Sequence, residues 1–366
     1  MPRDLLPSLK DIAGATGVSI ATVSRVLRNK GEIAPATKKH VLEVAERLGY
    51  HDNRLIYGIQ TGRTKTIGVS MPLDGFFSRV LKAVGVELEK RDYLMLFCRK
   101  SDEQAMLKRF VEQRVDGVIM MSSQDLADNT YFSDVISRGL PIVTIDRKTK
   151  ANVDFVGTDD FRGGRISAEY LYGLGHRKFV YYQGPELATP ARLRRDGFAS
   201  FCREHADATL LLCGDASYNT EYDERILFEF LMRHPEVTAG SAFYDGYACR
   251  LWRAAVAAGR HVPEDFSIIG FGDIIPPNLS EFEMTTLDQK PELIARTAVE
   301  RLFERIGSER NLEPVDIRSP PELLIRKSTA ELSSRTKKEE NEMDSFLFSQ
   351  EQFMKQYQTK TANGEG

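Results

Sequence analysis

The chain has 366 residues, more than one typical domain holds and enough for two or three. Its 42% hydrophobic and 28% charged residues are ordinary for a globular protein, and a net charge of −3 excludes a surface that is basic throughout. The charge is uneven: residues 1–63 carry ten Lys/Arg against six Asp/Glu, a basic head of +4 on a body of −7, which fits localised contact with a polyanion.

Residues 9–29 read LKDIAGATGVSIATVSRVLRN. Ser8 is placed to cap a first helix with Asp11 at the third helical position, a capping box. Leu9, Ile12 and Ala13 form that helix's inner face, and Gly17 ends it and permits a tight turn. Ser19 caps a second helix that hides Val23, Val26 and Leu27 and shows Ser19, Ala21, Thr22, Arg25 and Arg28. This is how a helix-turn-helix presents a recognition helix to the DNA major groove. A third helix is expected from Ala34-Pro35, with Pro35 suited to the first helical position. Lys38, Val41, Val44, Ala45 and Leu48 keep its 3.6-residue spacing, and Gly49 stops it.

Residues 51–65, HDNRLIYGIQTGRTK, read as a polar, basic linker of weak helical potential, in which Gly58 costs about 1 kcal/mol relative to Ala. From Thr66 the pattern turns to alternating strands and helices. Apolar runs at 67–71, 93–98, 117–121, 141–145 and 154–158 form one set of expected strands. Runs at 178–184, 209–213, 241–244 and 267–271 form a second. Apolar strands separated by helices imply parallel sheets covered on both faces. Two such sets imply two α/β lobes, with ligands expected in the cleft at the strands' carboxyl ends. Leu323-Leu324-Ile325 is the last expected strand. Beyond Ala330 the chain is highly charged. Met343, Phe346, Gln350, Phe353 and Tyr357 keep 3-4-3-4 spacing, which fits either an added helix or, over only two heptads, a disordered tail.

With these motifs in hand, the chain from about Leu9 to Ala330 resembles the lactose/galactose-repressor (LacI/GalR) family of bacterial transcription regulators. The head motif LKDIA-x3-GVS-x2-TVSRVLRN carries the resemblance, followed by RLGYHDN at 47–53. In the body it rests on IGV (67–69), QRVDG (113–117), GHRKF (175–179), ARLRRDGF (191–198), GRHVPEDFSIIGF (259–271) and MTTLDQ (284–289). The resemblance implies a helix-turn-helix head at 1–50, a hinge at 51–65 and a periplasmic-binding-protein-like body at 66–330. It further implies lobes interleaved by crossings near 160, 288 and 320, a homodimer, and operator binding controlled by an effector. Residues 331–366 are left as a charged tail.

In this frame Arg25 points into the groove, where a guanidinium contact to guanine O6/N7 is worth about 1–3 kcal/mol of discrimination. Ile20 and Ala21 stand where the family varies its base readout, and both are apolar, which suits contact with thymine methyls. Ser19, Thr22, Ser24 and Asn29 are short polar groups suited to phosphates. Ile59 matches the family's minor-groove wedge, usually Leu, and Asn53 could bond in the same groove; packing of Ile59 against the body is the other reading. Three residues depart from the family here: Asp52 for Pro, and Ile56-Tyr57 for Ala-Arg.

For the effector, Phe76 and Phe77 follow the first strand, Asp160 lies at the first crossing and Arg194 matches the family's ligand-contacting arginine, a planar fork for hydroxyls or anions. Tyr218, Tyr244 and Asp273 complete the expected set. A core role for either Phe and a surface role for Arg194 stand beside this reading. Gly272 replaces the family's usual Asp, Tyr244 its Asn and Ala216 its aromatic lid. These departures argue against a pyranose held by Asp and Asn forks. A carbohydrate-like effector is implied by the resemblance alone.

The scattered Cys98, Cys202, Cys213 and Cys249 show no metal or disulfide spacing, and no GxSxG, HExxH or Walker loop is present, so neither cofactor nor catalysis is expected. Residues 1–11 lack a signal peptide's apolar run, and no stretch approaches the ~20 apolar residues of a membrane span, so a cytoplasmic protein without a membrane partner is expected. The expected function is a sequence-specific, effector-controlled transcription regulator, a repressor. The alternatives are a regulator whose pocket binds no small effector, and a solute-binding protein that does not bind DNA.

Overall fold

The computed structural model describes residues 7–27, 31–50, 62–73, 75–99, 102–122, 130–149, 151–186, 188–214, 220–274, 283–308 and 312–332. The chain forms two compact units that divide between Lys65 and Thr66.

The first unit holds α1 (Leu9–Thr16), α2 (Ile20–Leu27) and α3 (Pro35–Arg47). Ser8 and Asp11 form the expected capping box: the Ser8 amide donates to Asp11 Oδ2 at 2.7 Å, and the Asp11 amide to Ser8 Oγ at 3.4 Å. The Ser8 hydroxyl, which donates to Asp11 Oδ2 at 2.7 Å, and the Ser8 amide hold the Asp11 carboxyl below its ordinary pKa. Gly17 adopts φ 71°, the left-handed conformation that closes α1. Ser19 Oγ accepts from the Thr22 amide at 3.1 Å and so caps α2. Ile12, Val23, Val26, Val41, Val44 and Ala45 are buried together, with Leu9, Val18 and Leu27 against them.

In the second unit β1 (Thr66–Met71), α4 (Gly75–Glu89), β2 (Leu94–Arg99), α5 (Glu103–Glu112), β3 (Gly117–Met120), α6 (Thr130–Ser137), β4 (Ile142–Ile145) and β5 (Asp154–Thr158) come first. Then follow α7 (Asp160–Gly173), β6 (Lys178–Tyr182), α8 (Thr189–Glu204), β7 (Thr209–Cys213), α9 (Thr220–Arg233), β8 (Ala239–Ala242), α10 (Asp245–Ala257), β9 (Ser267–Ile269) and β10 (Thr286–Asp288). Last come α11 (Pro291–Gly307), β11 (Asp316–Ser319) and β12 (Glu322–Leu324). One parallel sheet runs β11-β5-β4-β3-β1-β2, a second runs β7-β6-β8-β9, and β10 pairs antiparallel with β12.

Each sheet defines a lobe. The chain passes from the first sheet to the second between Thr158 and Asp160. It returns between Asp288 and Pro291, and passes again between Ser319 and Glu322. Helix α11 belongs to the first lobe, where Ile294, Val299 and Leu302 share a core with Ile67, Val69, Val84 and Val143. The second sheet is covered on both faces, by Phe198 and Leu171 against Phe179 on one and by Leu251 against Val180 and Ile268 on the other.

Two strands are not buried on both faces as expected. Leu94 and Met95 in β2 and Leu212 in β7 are exposed, because each strand is a sheet edge bonded to one neighbour only. The strand expected at 241–244 lies at Ala239–Ala242, two residues earlier. It starts on small residues: a Cβ on Gly240 would stand 2.6 Å from Leu251 Cδ2. Strands β10 and β11 were not expected at all, since TLD and DIRS carry no apolar run.

Candidate nucleic-acid interface and effector site

Helix α2 displays the expected head residues on one short surface. Ser19, Ile20, Ala21 and Arg25 are exposed, and Thr22 and Ser24 are half-buried. Ile20, a large apolar side chain, is 48% exposed at the start of this capped helix of eight residues. Ser19 and Thr22 hydroxyls also bond each other at 2.9 Å, so these two groups shape the helix start as well as facing out. Gly31 has φ 80°, and a Cβ there would lie 3.8 Å from Arg25 Cδ. Arg25 and Lys38 line one hollow of about 390 Å³ with Gly31, Ile33 and Ala34. Asn29, Asn53 and Ile59, with linker residues 51–61 and so Gly58, lie outside the described residues.

In the body, Asp160 and Arg194 meet where the chain first passes between lobes. Arg194 Nε donates to Asp160 Oδ1 at 2.7 Å, Nη1 to the Phe243 carbonyl at 2.9 Å and Nη2 to Gln289 Oε1 at 3.0 Å. The guanidinium lies 3.7 Å above the Phe271 ring and 5.2 Å from that of Phe243. Both charged residues are 3% exposed, so Arg194 is not a surface charge. Burial pushes the Asp160 carboxyl up to about 6, against the downward pull of Arg194 and helped by Asp146. Gln289 Oε1 also accepts from Thr158 Oγ1 at 3.1 Å. The two crossing segments are therefore tied to one guanidinium of the second lobe. A guanidinium has five N–H donors; three are used in these bonds.

The glycines of α7 and α8 allow this meeting. A Cβ on Gly164 would stand 1.9 Å from the Arg194 carbonyl oxygen, and one on Gly197 2.0 Å from that of Phe161. The helices touch backbone to backbone, which sets Arg194 beside the first turn of α7.

The remaining expected residues are dispersed around this hub. Phe76 is 7% exposed and belongs to the first lobe's core with Val80 and Val84; Phe77 is half-buried, edge-on to Phe76 at 5.3 Å. The start of α4 faces the second lobe at Ile274, whose Cδ1 would lie 3.3 Å from a Cβ on Gly75. Tyr244 precedes α10 and packs against Phe243 and Tyr247, with ring centroids at 5.4 and 5.0 Å. Asp273 is held by Arg326 at 2.6 Å and by Arg79 at 3.7 Å. Arg79 also reaches Asp288 at 3.6 Å and Glu292 at 3.3 Å. The Asp273 carboxylate thus belongs to an ion-pair cluster bridging the lobes. Tyr218 and Ala216 lie outside the described residues.

Gly272 has φ 125°, and a Cβ there would lie 3.6 Å from Gln289 Nε2 and 4.0 Å from Asp245 Oδ2. A side chain at 272 would enter the hub, but the backbone favours glycine. Sequence reasoning missed Asp245, Gln289, Thr158 and Thr286 as members of this region. Asp245 is 1% exposed, accepts from Thr286 Oγ1 at 2.6 Å and from the Ile274 amide at 2.8 Å, and is raised in pKa by burial. Its partners lie 41 and 29 residues away, so no local pattern marked it.

Comparison with known proteins agrees with both units. Residues 8–53 match the model for bacterial regulatory proteins of the lacI family, and residues 168–329 that for a periplasmic binding protein-like domain. The HTH-type transcriptional regulator CelR of Thermobifida fusca is 30% identical over 345 residues, covering 90% of this chain and all of the relative. The HTH-type transcriptional repressor PurR of Mannheimia succiniciproducens is 27% identical over 337 residues, with 90% and 100% covered. Among solved structures, a CelR–cellobiose complex superposes with a TM-score of 0.63 at 27% identity, covering 88% of this chain and 99% of that one. A lac repressor dimer bound to operator and the anti-inducer ONPF superposes at 0.75 and 23% identity, with 89% and 99% covered. Two matched models in the expected order and a 30% identical relative aligned over its full length make this chain a member of the LacI family of bacterial regulatory proteins.

Proposed function

We propose that the chain is a sequence-specific DNA-binding transcription regulator, a repressor, that acts as a homodimer on a palindromic operator under the control of a small effector bound between the lobes. The observation that carries this is the start of α2, a capped helix that holds Ile20, Ala21 and Arg25 out to solvent while Val23 and Val26 anchor it. Support for the effector comes from the Arg194 hub where the lobes join and from the cellobiose held by CelR. Support for the repressor sense comes from PurR. We divide the chain into a head (1–50), a hinge (51–65), an effector-binding and dimerisation body (66–330) and a tail (331–366).

In this reading the groups that meet DNA are Ser19, Ile20, Ala21, Thr22, Ser24, Arg25, Asn29, Asn53 and Ile59. Arg194, Asp160, Tyr244 and Tyr218 meet the effector, with Phe76, Phe77 and Asp273 shaping its walls. The Asp160–Arg194 pair binds and positions rather than turning over a substrate. A ligand that binds the closed and open arrangements unequally shifts the balance between two operator affinities. Among the described residues no helix is long and apolar enough to cross a membrane, and we place the protein in the cytoplasm, where its DNA lies. The test is a gel-shift of palindromic DNA upstream of the chain's own gene, repeated with each sugar that raises the melting temperature. A shift altered by such a sugar is expected; no shift of any fragment would overturn the reading.

A second reading rests on Gly272. With no side chain at 272 and three Arg194 donors already engaged, the cleft could serve a regulator that takes no small effector. A sugar and metabolite panel without one stabilising ligand would favour it.

A further inference from the structure

A cavity of about 510 Å³ opens in the first lobe, far from the Arg194 hub. Its lining is apolar at Ile136, Leu140, Ile142, Val153, Leu312 and Pro314 and polar at Ser137, Asn152, Ser308 and Glu313, with Arg305 among them. It lies at the amino ends of β4 and β5, whereas Thr158 of the hub ends β5. The strand separates the two places by about 13 Å at 3.3 Å per residue. The volume falls within the roughly 300–1,000 Å³ usual for small-molecule sites.

Arg305 is held by a buried charge. Asp154 is 0% exposed and accepts from both Nε and Nη2 of Arg305 and from the Val315 amide at 2.8 Å, and it forms an ion pair with Arg301 Nε at 3.1 Å. The bidentate pair locks Arg305 in place and fixes the direction of its free edge. Among the described residues Arg305 Nη1 has no partner, while the Arg305 side chain is only 15% exposed. Arg301 is balanced separately by Glu304 at 2.8 Å and by the Glu313 carbonyl. Glu304 and Glu313 are exposed to water, where their charge is screened. A preorganised guanidinium edge beside the apolar side chains of Ile136, Leu140, Ile142 and Leu312 suits an anion carrying an apolar body.

We propose that this cavity is a second ligand site, distinct from the inter-lobe cleft, that takes a small organic anion, a carboxylate or phosphate monoester, with an apolar body. Arg305 Nη1 bonds the anion, and Ile136, Leu140, Ile142 and Leu312 cover the body.

The test is titration calorimetry and saturation-transfer NMR on the full chain with four probes of one shape: phenylacetate, phenyl phosphate, phenethylamine and benzyl alcohol. Phenylacetate or phenyl phosphate is expected to bind at one site at least tenfold more tightly than the amine and the alcohol, and the arm that binds identifies the anion. Arg305→Gln should lose at least tenfold of that affinity. Because Arg305 also serves Asp154, Ser137→Trp provides a second variant, which fills the rim and leaves the ion pairs intact; it should abolish binding without lowering the melting temperature. Equal binding of alcohol and anion, preference for the amine, no binding of either anion, or unchanged binding in Ser137→Trp would each overturn the proposal.

Discussion

Arg194 Nε stands 2.7 Å from Asp160 Oδ1 where the chain first passes between its lobes, and both side chains are almost wholly shielded from water. Removing one member strands the other charge. Arg194→Ala is expected to cost roughly 3–5 kcal/mol of folding stability, read as a fall in urea midpoint with unchanged slope. Asp160→Asn keeps an acceptor for Arg194 and should cost clearly less. Equal and small losses would show that the pair is not the pin between the crossing segments.

The same carboxyl gives a pH signature. Asp160 is raised from 3.8 to about 6, chiefly by burial, so the folded chain holds this proton more tightly than the unfolded one. Its contribution is fully present below about pH 4, falls as pH rises toward 6 and is flat above. Within that window each unit of pH should cost up to about 1.4 kcal/mol from this group. Comparing wild type with Asp160→Asn in urea at pH 4.5 and 6.5 isolates it. The difference between the proteins should change with pH; a constant difference contradicts the assignment.

His176 works in the opposite sense. It is buried, with Nδ1 on Thr238 Oγ1 at 3.0 Å and Nε2 within 2.9 Å of Ser267 Oγ. Burial lowers its pKa. Stability from neutral His176 is present above the ordinary histidine pKa and is lost as pH falls through the lowered value. His176→Ala should cost about 1–3 kcal/mol by taking the ring partner from the Thr238 hydroxyl and one of the partners that Ser267 Oγ shares with Ala330, and proteolysis should then reach the segment near Ala330 sooner.

Gly164→Ala tests the contact between α7 and α8. The added methyl would stand 1.9 Å from the Arg194 carbonyl, so backbone must move. A loss of about 1–3 kcal/mol is expected, together with weaker binding of any ligand that uses Arg194. Gly173→Ala in the same helix meets nothing within 4 Å and should be neutral or stabilising. Equal effects of the two changes would remove the close helix contact from the account.

Much of the head was legible because its signals are local. Ser8 with Asp11, Gly17, Ser19 and Pro35 each act within four residues, and each does in the structure what its position indicates. The apolar runs around Ile67, Val118, Val143, Phe155, Val180 and Ile268 marked strands for the same reason. Edge strands misled because the sequence of β2 is as apolar as that of a central strand, and only the sheet order leaves Leu94 in water. The polar β11 gave no signal, since its place depends on pairing with β5. The hub was half legible: Arg194 and Asp160 came from the resemblance, while Thr158 and Gln289 are joined across 131 residues. The role of Gly164 and Gly197 in helix contact could be read only once the two helices were set side by side.

The central claim is tested most directly by fluorescence anisotropy of wild type and Arg25→Ala on a palindromic fragment from upstream of the gene and on its scrambled counterpart, across a salt series. Wild type should prefer the palindrome by a factor of about 10³ or more. Arg25→Ala should lose about 10- to 100-fold of that ratio and keep weak, salt-sensitive binding to both fragments. Equal affinity of wild type for the two fragments, or an unchanged ratio in Arg25→Ala, would contradict the account.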